Sequence, residues 1–255
     1  MDEKSARPGI SLRALAPNAV TALALCTGLS GAWFALQERW ENAVAAIVVA
    51  GVLDALDGRI ARMLKGESRF GAELDSLSDV IAFGATPALV IYIWVMQDMP
   101  RFGWTISVFF VLCAALRLAR FNARIDTEHQ PHKSAGFNTG VPSPPGAGLA
   151  LLPMLIWFET GADWVRDYRI VAPWLLIVAV LMISNVATFS WGSIKVRQNL
   201  RFIALAGVGL FGAVLIAAPW VALIVASIVY AGLIPLSVLS YGKAKRARRA
   251  AQQAA

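Results

Sequence analysis

The chain has 255 residues, of which 58% are hydrophobic and only 15% charged, and its mean hydropathy is +0.61. That balance excludes a soluble domain of this length. The formal charge of +7 does not point to nucleic acid, because the basic residues flank apolar runs instead of forming one patch.

Residues 1–16 carry Asp2, Glu3 and scattered basic residues around Ile10, Leu12 and Leu15. They read as a cytoplasmic interfacial segment. The acidic start and the length of the first apolar run argue for a retained anchor and against a cleaved leader. About 20 residues make one bilayer pass. Eight candidate passes follow, near Pro17–Leu36, Ala43–Leu64, Ala72–Met96, Trp104–Asn122, Pro145–Glu159, Ile170–Ser190, Phe202–Ala218 and Trp220–Tyr241. Pro219 separates the last two. The fold expected is therefore an all-α integral membrane bundle, and 242–255 is its basic tail.

Cys26 and Cys113 lie inside these apolar runs, with no His, Cys or acidic neighbour at ligand spacing. They read as core thiols, neither a disulfide nor a zinc site. Loop charge tests the topology. With the N-terminus inside, nineteen of the 23 basic residues fall on the inner side. Arg39, Arg101, Arg166 and Arg169 fall outside. The even number of passes puts both termini in the cytoplasm. Trp40, Trp104, Trp164 and Trp220 sit near outer ends, as interfacial anchors do. The Lys243–Arg249 tail suits either a topological stop signal or a grip on anionic headgroups.

The second and third passes hold the most informative residues. Asp54-x-x-Asp57-Gly58-x-x-Ala61-Arg62 is followed, after eight residues, by Gly71-x-x-x-Asp75-x-x-x-Asp79. Spacings of three and four place each aspartate pair on one helix face. The short connection from Lys65 to Phe70 makes the two helices antiparallel neighbours, so all four carboxylates converge at the cytoplasmic end. Carboxylates in a membrane are costly and mark function. A salt-bridge network with Arg59, Arg62 and Arg69 is the competing explanation, and four aspartates at this spacing exceed what it needs. Hard divalent cations, Mg²⁺ or Mn²⁺, suit such oxygens and usually accompany phosphates. Asp54, Asp57 and Asp75 are the expected ligands of a two-metal site, with Asp79 shared between metal contact and proton removal. Gly58, Gly71 and Ala61 keep the surface open for a ligand, and Arg62 can neutralise phosphate charge.

Further along, Leu116-Arg117-Leu118-Ala119-Arg120-Phe121-Asn122 closes the fourth pass, with both arginines on one face. Two guanidinium groups in an apolar helix suit a carboxylate or phosphate, although snorkelling to the interface is the ordinary alternative. Phe137-Asn138-Thr139-Gly140-Val141-Pro142-Ser143-Pro144-Pro145 reads as an irregular loop on the aspartate side. His129 and His132 read as solvated loop residues.

Eight positions of the aspartate frame are fixed, and a chance match is on the order of 10⁻⁹ per start position. The frame resembles the signature of the CDP-alcohol phosphotransferase family at every fixed position. With Leu77–Gly84 and the two segments just quoted, it resembles the phosphatidylserine synthase branch, best from Pro17 to Gly148. The resemblance implies a six-helix family core over 17–190, a C-terminal helix pair over 191–241 and a bacterial inner-membrane location. It implies transfer of a phosphatidyl group from CDP-diacylglycerol to L-serine, with release of CMP. It makes Asp79 the general base. Asn18 and Thr21 become contacts to the cytidine end, beside Asp54, Gly58, Ala61, Arg62 and Gly71, although Asn18 next to Pro17 also fits a helix cap. Arg117, Arg120 and Asn122 become acceptor contacts. A homodimer is implied too, which Gly207, Gly209 and Gly212 permit. Glycerol phosphate, inositol phosphate or choline as acceptor, and a divalent-metal transporter, are the other readings. A transporter would be expected to show a second copy of the aspartate motif, and there is none.

Overall fold

The computed structural model describes residues 12–64, 66, 68–123, 137–189 and 201–253. His129 and His132 lie outside the described residues, as does most of the N-terminal segment. The helices are α1 (Leu12–Leu36), α2 (Trp40–Leu64), α3 (Arg69–Trp94), α4 (Gly103–Asn122), α5 (Ser143–Thr160), α6 (Tyr168–Ile183), α7 (Arg201–Ala217) and α8 (Pro219–Gln253). Among the described residues, four stretches are long and apolar enough to cross a bilayer: Leu15–Leu36, Arg69–Trp94, Gly103–Asn122 and Pro219–Gly242. Helix α2 is long enough, but Asp54, Asp57, Arg59 and Arg62 dilute its apolar surface. The chain is a mostly helical, multi-pass membrane protein.

Three local features depart from the sequence expectation. Helix α1 begins at Leu12, so Pro17 lies inside it and Asn18 is no cap. Pro17, the sixth residue of α1, forfeits one helical N–H bond there, and the Thr21 hydroxyl oxygen lies 3.1 Å from the Pro17 carbonyl. The sixth pass, expected to run to Ser190, ends as helix at Ile183. Ser184 turns extended (φ −62°, ψ 163°) and its hydroxyl donates back to the Leu181 carbonyl at 2.8 Å. The chain then forms a strand, β2 (Ala187–Phe189), antiparallel to β1 (Phe137–Thr139). The segment expected to be an irregular loop is thus half strand, and Ser143 already starts α5. Gly140 joins the two at φ +73°, where a Cβ would stand 2.5 Å from the Met182 carbonyl oxygen. At the other end of the chain, α8 continues without a break through Lys243–Arg249. Its 35 residues span about 52 Å, well beyond a hydrocarbon core.

The bundle has two distinct ends. One end collects aromatic residues. Tyr92 and Trp104 meet edge to face at 5.1 Å, and Phe158 and Trp220 at 4.9 Å. Arg166 is tied there by two bonds to the Trp94 carbonyl, at 3.1 and 3.2 Å. The other end collects the aspartates.

Helix α3 is not uniform. Val80–Ala85, directly after Asp79, is a π-helical turn, and the Thr86 N–H reaches back to the Ile81 carbonyl. Such turns insert an extra residue and often sit at functional sites. Here α1 approaches so closely that a Cβ on Gly28 would lie 2.5 Å from the Ala82 Cβ. Gly28→Leu should therefore lower the thermal unfolding midpoint in detergent, by the about 1–3 kcal/mol of core overpacking. Gly232→Leu, at an exposed position where nothing lies within 4 Å, should leave the midpoint unchanged.

Candidate active site

Only four residues separate the end of α2 from the start of α3. This tight connection places the aspartate-bearing turns side by side. Ser68 holds it: its side chain accepts the Gly71 N–H at 3.0 Å and caps α3. Asp54, Asp57 and Asp75 each bring a carboxylate oxygen to within 4.8 Å of the other two. Asp79, one turn beyond Asp75, stands outside that trio but next to Asp54. Four carboxylates are thus gathered in two layers, Asp57 with Asp75 near the connection and Asp54 with Asp79 further in.

Each carboxylate is held differently. Asp57 is 5% exposed and accepts a hydrogen bond from Thr21 Oγ1 at 2.6 Å. The Ser78 hydroxyl in turn donates to the Thr21 carbonyl at 3.4 Å, which ties α3 to α1. Asp79 Oδ1 is buried without a hydrogen-bond partner. Among the described residues, no ion pair links Arg59, Arg62 or Arg69 to the four aspartates. The salt-bridge explanation of the frame therefore fails. Carboxylates this close repel one another unless a cation or a shared proton lies among them. A hard divalent ion fits the oxygen-only donor set and the unpartnered Asp79 oxygen.

A cavity of about 270 Å³ opens beside the outer layer. Asn18, Thr21, Gly58, Ala61, Arg62 and Gly71 all line it, together with Asp57 and Asp75. Asp54 does not, because it belongs to the inner layer. The glycine at position 71 is required by space: a Cβ would stand 2.8 Å from Asn18 Oδ1. The first turn of α3 borders the cavity, and helix N-termini attract phosphate oxygens.

The residues expected at the acceptor are split. Arg117 Nη1 donates to Ser143 Oγ at 2.6 Å, and its Nε is buried without a partner. Its charge acts on Asp79. Arg120 turns elsewhere, donating to Asn185 Oδ1 at 2.9 Å and the Ser184 carbonyl at 3.0 Å. It ties the end of α4 to the end of α6. Asn122 pairs with the Ser76 hydroxyl at 3.0 Å, beside Asp75. Ser68 and Ser143 were not singled out from the sequence. Ser68 was detectable as a helix cap three residues before Gly71, whereas Ser143 meets Arg117 only through the tertiary fold.

Residues 14–191 match a family model described as CDP-alcohol phosphatidyltransferase, and residues 199–235 match one described as CDP-alcohol phosphatidyltransferase 2. The chain is 36% identical over 234 residues to the CDP-diacylglycerol–serine O-phosphatidyltransferase of Mycobacterium bovis, covering 92% of this chain and 81% of that protein. It is 34% identical over 191 residues to the enzyme of the same name from Helicobacter pylori, covering 75% and 78% of the two chains. The Saccharomyces cerevisiae enzyme of that name is 40% identical over 108 residues, 41% of this chain and 38% of its own.

If the aspartates hold a divalent ion, saturating Mn²⁺ should stabilise the protein in a detergent melt by about 2–3 kcal/mol at 100 times the dissociation constant. Asp57→Asn should remove that gain. A gain that survives the substitution would place the ion elsewhere.

Proposed function

The chain belongs to the CDP-alcohol phosphatidyltransferase family, and from that premise we propose that it transfers a phosphatidyl group from CDP-diacylglycerol to the hydroxyl of L-serine. The products are phosphatidylserine and CMP. The observation that carries this reading is the juxtaposition of four carboxylates with a cavity lined by the family's glycine, alanine and arginine positions. The names of the relatives supply the acceptor.

Asp54, Asp57, Asp75 and Asp79 would hold the metal, two Mg²⁺ or Mn²⁺ ions in this proposal. When bound, such ions neutralise the pyrophosphate oxygens and stabilise the attacking and leaving groups. The protein's own residues do the rest. Asn18 and Thr21 face the cavity where the cytidine would lie, and Thr21 also fixes the Asp57 carboxylate. Gly58, Ala61 and Gly71 leave room for the phosphates, and Arg62 supplies positive charge at the same wall. Asp79 takes the proton from the serine hydroxyl as that oxygen bonds to the β-phosphorus. The bond from that phosphorus to the oxygen bridging to the CMP phosphate breaks, and CMP leaves with it. Arg117 is proposed to bind the serine carboxylate. Arg120 and Asn122 shape the acceptor side through their bonds to Ser184, Asn185 and Ser76.

The lipid half of the donor needs apolar walls. A groove of about 440 Å³ runs from Arg59 along α2, α5 and α8 past Val52, Leu151, Leu155 and Leu223. It suits an acyl chain whose headgroup sits at the aspartates. The proposal includes eight passes, both termini and the active site on the cytoplasmic side of a bacterial inner membrane, supported by the inward bias of basic residues. It also includes a homodimer, for which the exposed Gly207 and Gly209 offer close-packing positions.

Purified protein in detergent, given CDP-diacylglycerol and Mn²⁺ or Mg²⁺, should release CMP with L-serine and not with glycerol 3-phosphate, inositol phosphate or choline. Asp79→Asn should reduce kcat roughly 100- to 10,000-fold without removing CDP-diacylglycerol binding. Release with another alcohol alone would keep the chemistry and overturn the acceptor.

A further inference from the structure

Five buried side-chain polar atoms lack a hydrogen-bond partner among the described residues, and three of them, Asp79 Oδ1, Arg117 Nε and Tyr230 Oη, belong to residues linked electrostatically through Arg117. Folded proteins leave few such atoms, and a cluster of them marks a place where a polar ligand belongs. The three come from α3, α4 and α8. Tyr230 lies outside residues 14–191, in the C-terminal helix pair.

The fold aims the phenol deliberately. Two turns further along α8, Ser237 Oγ donates to the Ala187 carbonyl at 2.7 Å and pins the helix against β2. Thr188 on that strand is 1% exposed and spends its hydroxyl proton on the Gly140 carbonyl at 2.8 Å. Tyr230 stands beside this hydroxyl and within electrostatic reach of Arg117, and its Oη closes no hydrogen bond of full geometry. Arg117 has one nitrogen committed to Ser143, which fixes the guanidinium plane and leaves Nε open. A fixed guanidinium with a free Nε is a donor to a planar carboxylate. A phenol beside it adds a second donor from another helix.

Building on the serine-transferase reading, we propose that Tyr230 is an acceptor-binding residue whose hydroxyl donates to the serine carboxylate alongside Arg117 Nε. Asp79, within electrostatic reach of Arg117, then receives the other end of the same molecule, its hydroxyl. The C-terminal helix pair thereby completes the acceptor pocket. The pocket recognises an amino acid by its carboxylate and discriminates against amino alcohols that lack one.

The test compares L-serine with serinol, which keeps the amine and hydroxyl but has no carboxylate, in CMP release by the full-length protein with CDP-diacylglycerol. Tyr230→Phe should raise the KM for serine roughly 10- to 100-fold, the loss of a charge-assisted hydrogen bond. The kcat, the KM for CDP-diacylglycerol and the use of serinol should not change. Ser237→Ala, which loosens α8 without touching the phenol, should affect both acceptors alike. An equal loss with serine and serinol in Tyr230→Phe, or no loss with serine, would overturn the proposal. A wild-type protein that uses no serine would overturn the acceptor reading, and this one with it, before any variant is compared.

Discussion

Four carboxylates brought together inside an apolar bundle are the constraint on which the rest of this structure depends. Their mutual repulsion is not offset by Arg59, Arg62 or Arg69, so the fold around them must be held by other means. It is held by close packing and by bonds to neutral groups. Gly28 lets α1 press on the π turn that follows Asp79. Thr21 clasps Asp57, and Ser78 clasps the Thr21 backbone in return. Ser68 fixes the start of α3. Each device acts on a backbone or a single carboxylate oxygen, which leaves the remaining oxygens for a cation.

The two ends of the bundle divide the physical work. At one end, tryptophans and Arg166 form an amphipathic rim of the kind that settles at a membrane interface. At the other, the ends of α2 and α4 and the starts of α1, α3 and α5 bring every polar group of the site together. In the proposed reaction the donor's headgroup cavity and apolar groove are both bordered by α2, and Arg59 lines the groove.

The convergence of Asp54, Asp57 and Asp75 was legible in the sequence because it depends on helix period and a short connection. Spacings of three and four, a short connection and two glycines determine where Asp54, Asp57 and Asp75 meet. The residues that the resemblance grouped with them, Asn18, Thr21, Gly58, Ala61, Arg62 and Gly71, line one cavity, although helix period alone does not bring α1 to it. What escaped depends on contacts distant in the chain. Arg117 and Arg120 share a face by spacing, but Ser143 draws one and Ser184 with Asn185 the other. The pairing of residues 137–139 with 187–189 ends the sixth helix early, and no local pattern announces it. Tyr230 is one polar tip in a long apolar run, and only the packing of α8 on β2 brings it to the site.

The account stands most directly on the ion itself. Crystals grown with Mn²⁺, measured at the manganese absorption edge, would locate it by anomalous scattering. Two peaks bordered by Asp54, Asp57, Asp75 and Asp79 are the expected result, with the Asp79 oxygen partnered. An anomalous map with no peak among these carboxylates at saturating Mn²⁺ would contradict the account.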